Sequence, residues 1–370
     1  MRFLEILTEA KVGRELQHAE DMVIVDGSKG ALEALLQLAS LAKSVDDVTV
    51  KWDGSPAIYF GRNEQGQFVL TDTAGFAAKG YDGKVTSSAD LQNMLLSRGK
   101  EVNDSRKEFA GKMGGLWEKF EAMVDASFRG YIKGDLLYYD QPPKDKSGDF
   151  VFTPNTVTYT IPASSTIGKR IAQTTAGVVV HSYMDFEGNS QPIKGAIKGI
   201  KPTGPVMIQG PVTANSLPSI DANKIDQVRR YVTQHANDID SLLNDQQLAL
   251  DKMSDFKGTL YTFVNQQVDR GDLSALNSKF EQWLKTSKVS APKQQKILDY
   301  RKTHARAFDA VFSTLEQLMN IKDDIIDQLD QQAEIKASIG GKRGGEGYVK
   351  GSMKLVPRLH FTQANRAKIR

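Results

Sequence analysis

An α+β fold, rich in antiparallel sheet and carrying a long helical segment, is predicted by three features of the sequence. Residues 48–210 hold short runs that alternate apolar and polar side chains, separated by Gly, Pro and Asn turns. From about Ser219 to Ile335 such turns are scarce, and apolar residues recur with the 3.6-residue period of a helix. After the glycine-rich GGKRGG at 340–345, the segment EGYVKGSMKLV returns to strand character. A chain of 370 residues can bury two cores. The expected partition is 1–216, a helical insertion at 217–337, and 338–370.

Each element has its own warrant. The first 45 residues read as helical, with Leu32, Leu35, Leu36, Leu38 and Leu41 at helical spacing behind a turn at GSKG (27–30). That turn lacks the length and lysine spacing of a phosphate loop. In VTVKWDG, Val48, Val50 and Trp52 alternate with Thr49, Lys51 and Asp53; AIYF and QFVLTD follow as further strands, the expected start of an antiparallel sheet. A helix is expected near 106–127, and strands at 131–139, 157–161, 177–183 and 206–209. The clearest helical face runs from Ile297 through Phe308, Val311, Phe312, Leu315, Met319, Ile325 and Ile326 to Leu329, read as one long helix following Pro292.

Composition excludes several chemistries. Without cysteine there are no disulfides, thiolate metal sites or thiol nucleophiles, so covalent catalysis must use Lys, Ser, Thr or a carboxylate. No apolar run approaches the ~20 residues that cross a bilayer, and MRFLEILTEAK does not read as a secretory signal, so a cytoplasmic protein without a membrane partner is expected. His18, His181, His235, His304 and His360 lack metal-ligand spacing. The net charge of +3 is unevenly spread: residues 336–370 hold nine Lys/Arg against the single acid Glu346. That tail is either a phosphate-facing surface, with Arg358, Arg366, Lys368 and Arg370 gripping a nucleic acid, or a solvated basic terminus. The helical block, with 15 basic and 18 acidic residues, is not a basic face.

Three segments carry candidate chemistry. Lys51 stands at a strand end in KWDG, where desolvation or neighbouring cations would make its amine nucleophilic, and Gly54 lets a ligand approach closely. Asp135 lies in the apolar YIKGDLLYY, where a carboxylate is costly unless it meets a hydroxyl, a metal or a cation, or faces water from an edge strand. Glu346 and Lys354 sit on two short apolar runs spaced as a hairpin; a metal-binding carboxylate and a phosphate-binding amine could face one cavity, or both could be surface charges.

The order KxDG, GDLLY, GVVVHSY, EGYV and KLV resembles motifs I, III, IIIa, IV and V of the covalent nucleotidyltransferases, the superfamily of ATP-dependent DNA ligases, RNA ligases and mRNA capping enzymes. The patterns HAED, VTVKWDGSPAI, TPNTVTY, IGKRIA and GVVVHSY are also similar to uncharacterised ligase-like proteins of tailed bacteriophages. The resemblance implies a nucleotidyltransferase core split by the helical insertion, with ATP and Mg²⁺ as cofactors and RNA or DNA ends as partners, in a phage-infected bacterial host. It makes Lys51 the adenylated nucleophile, Glu346 and Lys354 its catalytic companions, and Glu346 with Asp135 the metal-binding carboxylates. Asp53, Gly54, Arg62, Lys79, Asp135, Tyr159 and His181 become the nucleotide-binding set; for Tyr159, His181 and Tyr183 simple sheet packing is the commoner role. The sequence departs from the pattern: motif III has Asp for Glu, Pro56 replaces an expected arginine for which Arg62 would substitute, and Glu346 and Lys354 are close together. The implied function is a polynucleotide ligase working through a lysyl-AMP. The alternatives are a catalytically silent nucleic-acid-binding or virion-associated protein, a guanylyltransferase, or a protein AMP-transferase.

Overall fold

The structure, a computed structural model, describes residues 17–76, 80, 85–98 and 102–367. Its elements in chain order begin with strand β1 (Gln17–His18), helix α1 (Met22–Ser40), β2 (Val48–Val50), β3 (Ala57–Arg62), β4 (Phe68–Asp72) and a short α2 (Thr73–Phe76). There follow α3 (Ser88–Leu96), α4 (Asp104–Met123), β5 (Gly130–Tyr138), β6 (Phe150–Phe152), β7 (Thr158–Ile161), α5 (Thr166–Ile171), β8 (Ala176–Met184), β9 (Ser190–Pro192) and β10 (Val206–Gln209). The helical block is α6 (Ala222–Gln234), α7 (Ala236–Leu242), α8 (Asp245–Leu250), α9 (Phe256–Arg270), α10 (Leu276–Thr286), α11 (Ala291–Thr303) and α12 (Ala305–Gln332). The chain closes with β11 (Lys336–Ile339), β12 (Lys342–Arg343), β13 (Tyr348–Lys350), β14 (Met353–Leu355) and α13 (Arg358–Ala367). The α+β class holds, with mostly antiparallel sheets. No helix among the described residues is long and apolar enough to cross a membrane.

Two compact units divide the chain, and the cut differs from the expected partition. One contains residues 1–51, 213–333 and 346–370; the other contains 52–212 and 334–345. The helical block shares one core with α1 and with the strands flanking it in sequence: Leu35, Leu38, Val48, Phe263, Phe308, Phe312, Tyr348 and Leu355 belong to a single buried cluster. Its sheet runs β1-β14-β13-β2, with β1 parallel to β14 and the other pairs antiparallel. The sequence order suggested that β2 would pair with β3; instead Val48–Val50 pairs with Tyr348–Lys350. The intervening Gly54 and Pro56 explain the change, since proline lacks the N–H that a continuing ladder needs.

Helix α1 is kinked at Asp26 and Gly27, the latter at φ 60°. The Asp240 carboxylate takes the Ser28 N–H and hydroxyl, each at 2.7 Å, and a Cβ on Gly27 would lie 2.4 Å from the same carboxylate. GSKG is therefore a turn into a helix whose N-terminal dipole is answered by the protein's own acid. The long helix expected after Pro292 is two helices. At the break the His304 N–H closes the last turn of α11 on Tyr300 O at 3.0 Å, and Thr303 Oγ1 and His304 Nδ1 bond the same carbonyl at 2.9 and 3.0 Å.

In the second unit, a six-stranded sheet (β10-β8-β5-β3-β4, with β9 on β8) packs one face on α3 and α4 through Ile58, Phe60, Ile132, Leu136, Val178, Leu91, Trp117 and Phe120. A smaller antiparallel sheet, β12-β11-β7-β6, completes it. Strands β5, β8 and β10 lie close to their expected positions, whereas α3, α5, β6 and β9 carried too short a pattern to be read.

A buried ion cluster joins the ends of the first unit. Lys322 of α12 meets Glu20 at 2.8 Å, and Arg358 meets Asp21 at 3.0 Å, Glu20 at 3.2 Å and the Asn265 side chain. Burial pushes the Glu20 carboxyl up, but Lys322 and Arg358 outweigh it and hold the group at about 2; for Asp21 burial prevails over Arg358 and the pKa is raised. Replacing Arg358 by Met leaves Asp21 buried without its cation, which should cost about 3–5 kcal/mol near pH 8. An acid with a raised folded pKa binds its proton more tightly in the native state than in the unfolded chain, so the loss should shrink as the pH falls through that pKa. Thermal unfolding of Arg358→Met at pH 8 and pH 4.5 checks this; equal losses at both would contradict it.

Candidate active site

Lys51 follows directly on β2, and its N–H extends the ladder by donating to Gly347 O at 2.9 Å. This register sets its side chain beside the residue preceding Gly347, and Lys51 Nζ donates to Glu346 Oε1. The pair joins positions 295 residues apart and is half-buried, with side chains 27% and 15% exposed. Lys354 stands opposite Val349, and Val349 opposite Thr49. Because directly opposed residues share a sheet face and alternate residues return to it, Lys354 and Lys51 lie on one face. The other face presents Val48, Tyr348, Met353 and Leu355 to the helical core. The hairpin expected at EGYVKGSMKLV is present; in the first unit Lys51 meets Glu346, and Lys354 lies on the same sheet face as Lys51.

The remaining expected site residues belong to the second unit. Asp53 is 4% exposed, and its carboxylate accepts from Asn155 Nδ2, Thr156 N and Val157 N at 2.8, 2.5 and 2.8 Å. Its own N–H donates to the Tyr159 hydroxyl at 2.6 Å, and the Tyr159 ring lies 4.7 Å from that of Trp52. Both Asp53 and Tyr159, which is 1% exposed, thus tie the segment after Lys51 to TPNTVTY. Gly54 is required by crowding: a Cβ there would approach Asp135 Cβ to 2.6 Å. Arg62 donates to the carbonyls of Asp125, Gly66 and Val124, a structural engagement that ties the β3–β4 turn to the end of α4. Lys79 lies outside the described residues.

Asp135 and His181 form a polar pair on the sheet face opposite the α3–α4 core. His181 Nε2 lies 3.6 Å from Asp135 Oδ2, and its Nδ1 meets Ser182 Oγ at 2.9 Å. The pairing of β5 with β8 shifts register between Lys133 and Gly134, where Ser182 and Val180 are their partners and His181 is the extra residue. A bulge of this kind re-aims a side chain. The side chains of Asp135 and His181 are 25% and 42% exposed, so the pair is open to a ligand. Tyr183 packs against the core and its hydroxyl accepts from Lys198 N at 2.6 Å.

Among the described residues no three His, Cys, Asp or Glu side chains gather to hold a metal by themselves. The expected basic strip is also altered: Arg358 is 5% exposed within the ion cluster, α13 packs on α9, and Lys368 and Arg370 lie outside the described residues. Asn155 and Thr156 were not singled out by sequence reasoning; their signal was the TPNTVTY pattern, whose purpose needs the fold to be seen.

Asp53→Ala should strand two buried backbone donors at about 1–3 kcal/mol each. Unfolding should be earlier, and hydrogen exchange of the Thr156 and Val157 amides much faster, with or without nucleotide. Unchanged exchange at those amides would remove Asp53 from this structural role.

No curated protein and no solved structure matches the chain. The model of a family of unknown function, DUF6267, matches residues 14–369, and the chain belongs to that family.

Proposed function

We propose that the protein is an ATP-dependent nucleotidyltransferase that forms a covalent lysyl-AMP, and that a polynucleotide end receives the nucleotide. The observation that carries this reading is the Lys51–Glu346 pair, a half-buried amine held on a carboxylate, with Lys354 on the same sheet face. In the reaction, Lys51 Nζ attacks the α-phosphorus. An N–P bond forms, the bond from phosphorus to the bridging oxygen breaks, and pyrophosphate leaves with that electron pair. The amine must give up a proton to attack, and Glu346, already its hydrogen-bond acceptor, takes it. Lys354 offsets charge on the phosphoryl oxygens. A nucleotide-bound Mg²⁺ uses only one or two protein carboxylates besides phosphate oxygens, so Glu346 suits it without a three-ligand cluster, and the ion would further neutralise the phosphates.

Incubation with α-labelled ATP or GTP and Mg²⁺, followed by denaturing electrophoresis and peptide mass spectrometry, tests the reading. One acid-labile AMP on Lys51 is expected. Lys51→Arg, which keeps the charge but not the nucleophile, should abolish it, and Glu346→Ala or Lys354→Ala should slow it by about 10²–10³. A GMP adduct would make the protein a guanylyltransferase. No adduct with either nucleotide would favour a binding protein.

A further inference from the structure

Strand β1 is two residues long, yet it sets His18 beside Lys354 as its partner in the parallel β1–β14 pair. The row His18, Lys354, Val349, Thr49 therefore crosses all four strands on the face that also carries Lys51. Adjacent strands lie about 4.8 Å apart, so two strand spacings separate Thr49 from Lys354 and a third brings His18. Lysine side chains can reach across such a gap.

One ring nitrogen of His18 is left unsatisfied. Its Nδ1 is buried with no hydrogen-bond partner among the described residues, a state that calls for a ligand or a change of environment. Burial, then Arg358, Lys322 and Lys354, hold its pKa well below the usual histidine value, against the opposing pull of Glu20. A neutral imidazole beside Lys354 supplies an N–H without adding a repelling charge. Glu20 would itself repel an anion, but Lys322 and Arg358 already neutralise it.

We infer that His18 and Lys354 hold the terminal phosphates of a nucleoside triphosphate whose α-phosphorus lies at Lys51, an assignment that rests on the transfer reading above. The triphosphate crosses the strands at right angles, with Val349 as its floor, and His18 acts as a positioning residue. It makes the site selective for a nucleotide that carries phosphates beyond the α-position.

Calorimetric titration of the full chain with inorganic tripolyphosphate at fixed ionic strength tests this without any covalent step. Wild type should bind; His18→Ala should bind about tenfold more weakly or worse at an unchanged melting temperature. His18→Asn, which keeps a donor near Nδ1, should recover much of the affinity even if alanine destabilises the fold. In adduct formation, His18→Ala should raise KM for ATP more than it lowers kcat. Failure of wild type to bind tripolyphosphate, or equal binding by wild type and a folded His18→Ala, overturns the inference. His18-dependent binding without any lysyl adduct would uphold the phosphate site and sink the transfer reading, so the two fail separately.

Discussion

Glu20 and Asp21, at the end of β1, are both fully buried, and the sheet of the first unit depends on their being neutralised there. A carboxylate moved from water into an apolar interior loses several kcal/mol even after relaxation, and two adjacent ones also repel. Lys322 and Arg358 remove that cost only if α12 and the start of α13 converge on one point. The ion pairs thus act as a registration device. Without them β1 would have no reason to lie on β14, since two strand residues supply few hydrogen bonds and little apolar area.

The same arrangement explains why β2, which leads into Lys51, has its observed partner. A hairpin of β13 and β14 could offer either edge, but β1 occupies the β14 edge, leaving β13 to receive β2. Lys51 N–H then reaches Gly347 O, and the Lys51 side chain is brought to Glu346. Two residues further on, Asp53 is fixed by the Thr156 and Val157 amides. The KWDG segment thereby does two jobs: its lysine faces a carboxylate, while its aspartate holds the backbone of the TPNTVTY segment.

Local pattern revealed what local physics controls. The apolar alternation of β5, β8 and β10 and the long face of α12 are properties of contiguous residues, and they were legible. Choice of partner is not local, so β2 was placed beside β3 although its hydrogen bonds go to β13. Charge misled for the same reason. Arg358 looked like part of a basic surface strip, yet its counter-ions are 337 and 338 positions away in the chain. Arg62 looked available to a nucleotide, but the three carbonyls it meets carry no sequence signal. The bulge that turns His181 towards Asp135 was equally invisible, because it arises from the count of residues between two registers rather than from residue type.

The short interval from Glu346 to Lys354, eight positions, looked like a departure from the motif spacing of the nucleotidyltransferases that the sequence resembles. In the folded chain it is the interval that a tight hairpin dictates. Gly347 must lie opposite Lys51 for the acid to meet the amine, and Tyr348–Lys350 must pair with β2. Gly351, at φ 57°, and Ser352 reverse the chain, and Met353–Leu355 returns antiparallel, which puts Lys354 opposite Val349. A longer connection would move the lysine only if it also shifted this register, and a one-residue shift would turn Lys354 into the core and bring Met353 or Leu355 out. The spacing is therefore fixed by the requirement that both lysines share one face while Tyr348, Met353 and Leu355 remain buried against the helices.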